Sequence, residues 1–151
     1  MNERSGNTRE TTVHLALGPV TLEGDLTIPE NAKGIILFAH GSGSSRLSPR
    51  NRHVARYLQG QSLATLLFDL LTADEEQVDA YTMRLRFDIR LLAQRLADAT
   101  VWLASRRETR DLPVGYFGAS TGGAAALVAE TQNPRAVKAI VSRGGRPDLA
   151  G

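Results

Sequence analysis

The apolar positions of this chain follow two rhythms. In residues 12–17 and 20–28 polar and apolar side chains alternate. Val20, Leu22, Leu26 and Ile28 share one parity, and Thr21, Glu23, Asp25 and Thr27 the other. A period of two puts each set on one face of a strand. With Gly18-Pro19 between them, the two runs predict a half-buried antiparallel pair. Residues 34–39 (GIILFA) and 63–68 (LATLLF) are instead apolar throughout, as expected of strands covered on both faces. Residues 114–117 and 137–142 predict two further strands. A helical period lies between them: Leu85, Ile89, Leu92, Leu96, Ala99 and Leu103 share one face of a helix ending near Arg107. Ser48-Pro49 reads as the N-cap and first position of an earlier helix that stops at Gly60, with Val54, Tyr57 and Leu58 as its stripe. Residues 124–130 predict a helix of small residues. The acidic stretch 70–83 keeps neither rhythm and reads as a loop, and residues 1–10 read as a disordered tail. Residues 11–151 are then one domain in the order β-β-β-α-β-α-β-α-β. This is an α/β fold with a mostly parallel, doubly wound sheet of about six strands.

Composition narrows the function classes. The 151 residues are 42% hydrophobic and include 14 Gly, ordinary for a folded domain. Eighteen basic and 16 acidic residues give a formal charge of +2, and all the basic ones but Lys33 and Lys138 are arginine. Aromatics are 5%, and no basic stripe is interleaved with them, which argues against nucleic-acid binding. The absence of Cys excludes disulfides, thiolate metal sites and cysteine nucleophiles. Three His leave little room for a metal centre, so neither metal nor cofactor is expected. No apolar run approaches the ~18 residues of a membrane span. The opening MNERSGNTRETT lacks the apolar core of a secretory signal. A cytoplasmic protein with no membrane partner is the expectation.

The chemistry concentrates at two strand ends. Gly118-Ala119-Ser120-Thr121-Gly122 is a G-x-S-x-G between a buried strand and a helix, where a nucleophile elbow belongs. A strand that turns directly into a helix strains its central residue, and the residues two positions either side must be glycine or very small. The serine hydroxyl is then presented at the strand's carboxyl end, beside a helix N-terminus that favours negative charge. His40-Gly41-Ser42-Gly43-Ser44-Ser45 follows another buried strand. A glycine-bearing turn there can aim backbone N–H groups at a developing oxyanion, from Ser42 together with Thr121, the residue after the nucleophile. A plain Gly/Ser connector is the alternative. No Lys-Ser/Thr pair follows these glycines, which argues against a nucleotide P-loop. Arg46 and Arg50 lie close enough to this loop to bind a substrate carboxylate, although a solvated basic face would look the same. Asp69 ends a strand at the same edge of the sheet and can shape the site.

The segments GIILFAHGSGSSRLSPRNR, LLFDLLT and GYFGASTGG resemble, in order and spacing, the α/β-hydrolase superfamily and most closely its dienelactone-hydrolase-like branch. The likeness runs from about Thr12 to the C-terminus. It implies an eight-stranded, mostly parallel sheet and hydrolysis of an ester or lactone through a Ser-His-acid triad. Carried over, Ser120 is the nucleophile, Ser42 and Thr121 are the oxyanion amides, and His40 is the turn-stabilising histidine rather than the base. Family members place the acid after the seventh strand and the base after the eighth. Here 31 residues follow Ser120, with no His and one Asp, Asp148. His14 and His53 read as surface residues.

The expectation is therefore a hydrolase truncated after its sixth strand, poorly active alone, with a small-molecule ester or lactone as substrate. Its last strand would be an open edge prone to self-association. The alternatives are a non-catalytic small-molecule binding module that keeps the pocket, and an interaction protein that pairs through the exposed last strand.

Overall fold

The computed structural model describes residues 8–151. Most of the expected tail thus lies outside the described residues, and Arg9 and Glu10, assigned to it above, are already strand. β1 (Arg9–Leu17) and β2 (Val20–Ile28) form the antiparallel pair, in register from Arg9 opposite Ile28 to Leu17 opposite Val20. Gly18 turns the chain at a φ of 63°, a left-handed conformation that glycine adopts without penalty. β3 (Gly34–Ala39), β4 (Leu63–Phe68), β5 (Val114–Ala119) and β6 (Val137–Arg143) run parallel to one another. The six strands make one sheet in the order β1-β2-β4-β3-β5-β6, with β2 joined antiparallel to β4.

Helices cover both faces, which explains the continuous apolar runs of β3 and β4. On one face lie α3 (Ile89–Ala104) and α4 (Thr121–Gln132). Leu92, Leu96, Ala99 and Leu103 of α3 and Ala125, Ala126 and Ala129 of α4 join the main core with Leu15, Leu37 and Leu66. α1 (Pro49–Gly60) covers the other face, where Ala55, Val54 and Leu58 pack on Phe38, Leu67 and Phe117. Tyr57, assigned above to that stripe, is 67% exposed.

Two further readings are corrected. Residues 70–83 are not loop throughout, because α2 (Ala73–Thr82) lies within them. Its start is a capping box: Thr72 Oγ1 accepts from the Glu75 amide, and Glu75 accepts from the Thr72 amide. The helix carries little apolar stripe because ion pairs hold it. Arg95 of α3 makes two 2.7 Å bonds to Glu75, and Arg86 makes a 2.8 Å bond to Asp79. The long helix is also shorter than its period suggests. Leu85 sits in a separate 3-10 turn (Leu85–Phe87), and Asp88 caps α3 through the Leu91 amide. Among the described residues no helix is long and apolar enough to cross a membrane.

Candidate active site

Ser120 is the junction between β5 and α4. Its φ of 54° and ψ of −120° are sterically unfavourable for a residue with a Cβ, a strain on the order of 1–3 kcal/mol that persists only where the surroundings impose it. The surroundings are the neighbouring backbone. The Ser120 amide donates to the Arg143 carbonyl at 3.1 Å, and its own carbonyl accepts from Gly123 and Arg146. The flanking glycines are required by contact. A Cβ on Gly118 would lie 2.5 Å from the Gly122 oxygen, and one on Gly122 would lie 2.0 Å from the Ala39 oxygen. Ser120 itself is exposed.

The loop after β3 lies directly against this elbow. A Cβ on Gly41 would be 3.3 Å from the Ser120 Cβ. Ser42 Oγ is 2.9 Å from Thr121 Oγ1 and 3.3 Å from the Arg86 carbonyl, to which it donates. Thr121 opens α4, so its N–H has no partner inside the helix. The end of β4 grips the loop at both ends. At one end, His40 Nε2 accepts from the Leu70 amide at 3.0 Å, and the other ring nitrogen donates to the Gly41 carbonyl at 2.9 Å. Since an amide can only donate, the ring is the neutral tautomer protonated at Nδ1. Burial holds its pKa below the ordinary value, against the opposing Gly41 hydrogen bond and Asp69 charge. At the other end, Asp69 accepts from the Arg46 amide at 2.8 Å and from its guanidinium at 2.7 Å.

The two arginines named from sequence go to different places. Arg46 is turned toward Asp69, Asp25 and Glu23, at 2.7, 3.4 and 3.5 Å. Arg50 lines an open cavity of about 400 Å³ that contains Ser120, together with Gly41, Ser44, Asn51 and Arg143. A second cavity, of about 210 Å³, lies on the other side of the same loop. It is bounded by Ser42, Thr121, Leu70, Leu92, Arg86 and Glu76. Burial, with the Asp69 and Asp79 charges, raises the Glu76 pKa.

Asn51 and Arg143 are the site neighbours that sequence reasoning missed. Only the position of Arg143 at the carboxyl end of a parallel strand, at the same edge as Ser120, could have signalled it. Among the described residues no histidine or carboxylate lines the Ser120 cavity. His40 is committed to the turn, His14 reaches toward Glu23 at 3.9 Å, and His53 is exposed on α1. Asp148 pairs with Arg146 at 2.8 Å. Among the described residues no group of three acidic or imidazole side chains is placed to hold a metal ion.

Comparison with known proteins finds this fold in dienelactone hydrolases and related structures. A crystal structure of a dienelactone hydrolase from Anabaena variabilis is 62% identical with a TM-score of 0.93, over 95% of this chain and 66% of that one. A dienelactone hydrolase-like promiscuous phosphotriesterase from metagenomic libraries has the same fold at 20% identity and a TM-score of 0.69, over 93% of this chain and 60% of that one. Proteins from two strains of Mycobacterium tuberculosis, provisionally named phosphoribosyl transferases, are 59% identical over 143 residues. That match takes in 95% of this chain and 31% of theirs, so the chain spans about a third of these curated relatives. No family model matches.

Proposed function

The chain belongs to the α/β-hydrolase superfamily, in its dienelactone-hydrolase-like branch, and from that premise we propose that it carries the nucleophile of a serine hydrolase acting on a carboxylic ester or lactone. The observation that carries the reading is the Ser120 backbone at a φ of 54°, between two glycines that no larger residue could replace without collision. That conformation projects a serine hydroxyl into an open cavity at the head of a helix.

In the reaction, Ser120 Oγ attacks the substrate carbonyl carbon and the carbonyl oxygen takes up the electron pair. The N–H groups of Ser42 and Thr121 are the donors for that oxyanion. Two such donors matter because the charge develops in a site where fixed dipoles need not reorganise. The serine proton passes to a base, which returns it to the alkoxide expelled as the intermediate collapses, and water hydrolyses the remaining acyl-serine to the carboxylic acid and free Ser120.

The attack needs a base within hydrogen-bond reach of Oγ, and no side chain lining the Ser120 cavity can serve. The base and its acid therefore come from outside these residues, and the 151 residues alone are poor catalysts. An oxyanion site without a working triad commonly retains roughly 10³–10⁴-fold over water. Hydrolysis of an activated aryl ester, compared with the Ser120→Ala variant, tests this. That residual needs no serine, so acylation is the deciding readout: an acyl group that mass spectrometry finds on the parent chain and not on the variant supports the reading, and no acyl group on either removes it and leaves a non-catalytic binding module.

A further inference from the structure

The two N–H groups assigned above to the oxyanion belong to segments 79 residues apart in the chain, so their spacing has to be fixed by contacts between those segments. The direction of the Ser42 N–H is set by its own peptide plane. The Gly41 carbonyl of that plane accepts from His40 Nδ1 at 2.9 Å and from the Ser44 amide at 3.1 Å, and a planar trans peptide points its N–H the opposite way. The Thr121 N–H is set by α4, which Thr121 opens. Between the two segments Ser42 Oγ lies 2.9 Å from Thr121 Oγ1, and Thr121 is 2% exposed. Ser42 Oγ also donates to the Arg86 carbonyl at 3.3 Å. A carbonyl only accepts and a serine has one hydroxyl proton, so within the hydroxyl pair Thr121 is the donor. The bonds therefore run one way, from Thr121 through Ser42 to the backbone of the 3-10 turn. The last link is long for two oxygens, as catalytic hydrogen bonds commonly are before substrate binds.

Asp79 of α2 holds that turn, and it is 4% exposed. Its Oδ1 accepts from the Leu85 amide at 2.8 Å and the Arg86 amide at 3.2 Å, and its Oδ2 accepts from Arg86 Nε at 2.8 Å. An ion pair would need the guanidinium alone. A carboxylate that also takes two successive backbone N–H groups grips Arg86 by main chain and side chain at once, through charge-assisted bonds, and so fixes the carbonyl that Ser42 uses. The Arg86 guanidinium also lies over the loop, where a Cβ on Gly43 would be 3.5 Å from Nη1. We propose that Asp79 is a positioning residue for the oxyanion site: through the Arg86 carbonyl and the Ser42–Thr121 hydroxyl pair it sets the spacing of the Ser42 and Thr121 N–H groups. This role rests on the hydrolase reading and extends it to α2, an element that touches neither donor.

The experiment acylates the chain with para-nitrophenyl acetate and with its thiono counterpart, in which sulfur replaces the carbonyl oxygen. Each ester transfers its acyl or thioacyl group to Ser120 Oγ; the new bond to carbon forms, para-nitrophenolate leaves and the serine proton passes to the buffer. Sulfur accepts hydrogen bonds weakly. The ratio of oxo to thiono acylation at Ser120, followed by mass spectrometry and divided by the same ratio for hydroxide ion, therefore reports the oxyanion donors rather than the serine or the fold. Asp79→Ala and Thr121→Val should each lower that ratio by about tenfold, short of the roughly 10²–10³ for outright loss of one oxyanion donor. Thr121→Ser keeps the hydroxyl, and Asp79→Asn keeps an oxygen for the Leu85 and Arg86 N–H groups, so both should recover most of it. The amide resonances of Ser42 and Thr121 should also move in Asp79→Ala. A ratio unchanged in Asp79→Ala, or equal slowing of both esters, would make Asp79 a support of α2 alone and overturn the proposal. So would a ratio that falls in Thr121→Val only. No acylation of the parent chain would remove the hydrolase reading itself, and the positioning role with it.

Discussion

His40 is held in one protonation state by what it touches. Its Nε2 accepts an amide proton, so a second ring proton would break that bond inside a buried site. Burial lowers its pKa from the ordinary 6.5, and the folded protein therefore binds fewer protons there than the unfolded chain. The stability from this group is fully present above that ordinary value and is lost as pH falls through it toward the lower folded value. Thermal melts between about pH 7 and pH 5 should show a fall in melting temperature that a His40→Gln variant flattens. An unchanged slope in the variant would place the acid sensitivity elsewhere. Glu75 acts in a lower window. The Arg95 hydrogen bonds hold its pKa below 4.5, so its contribution is lost only at more acid pH. At this scale the motif residues were legible, because Ser120, Gly118 and Gly122 are fixed by sterics that depend on identity and spacing alone. Asn51 was not legible, since a polar residue in a helix's first turn reads as solvated until its burial is seen.

α2 is held by charge where the other helices are held by apolar contact. Arg95 is buried in α3 and binds both Glu75 oxygens and the Leu70 carbonyl, so it ties the helix to the end of β4. Removing it in Arg95→Ala leaves that carbonyl without its side-chain donor and the partly buried Glu75 carboxylate with only the Thr72 amide. The expected cost is about 2 kcal/mol, seen as a lower urea midpoint. Amide exchange should accelerate in α2 before it does in α3 or α4. Uniform acceleration across all three would show that α2 is not an independently opening unit. The same feature explains why the element was missed. A search for apolar periodicity finds helices that bury a stripe, and α2 buries two ion pairs; its signal was the T-x-x-E of Thr72 and Glu75. The buried strands, covered on both faces, announced themselves as unbroken apolar runs.

The whole sheet ends at β6, which pairs with β5 on one side and leaves the other unpaired among the described residues. Val141 of that strand is 54% exposed, and Lys138 is its single lysine. An open edge with so little charge is a template for another strand. Sedimentation velocity on the 151-residue chain should show association that grows with concentration, and Val141→Lys should suppress it. A concentration-independent monomer would refute this. The parallel succession and the open last strand were both legible in the sequence. The pairing of β2 with β4 was not, because alternating positions define a strand's faces without naming its neighbour. One consequence of the whole assembly concerns selectivity. The Gly41–Ser44 stretch borders both cavities and stands between them like a partition. The two compartments draw most of their remaining walls from different parts of the molecule: α1 and the end of β6 for one, α2 and Leu92 for the other. Either compartment can therefore be enlarged without reshaping its twin, so in the proposed hydrolase each one's preference is set apart from the other's.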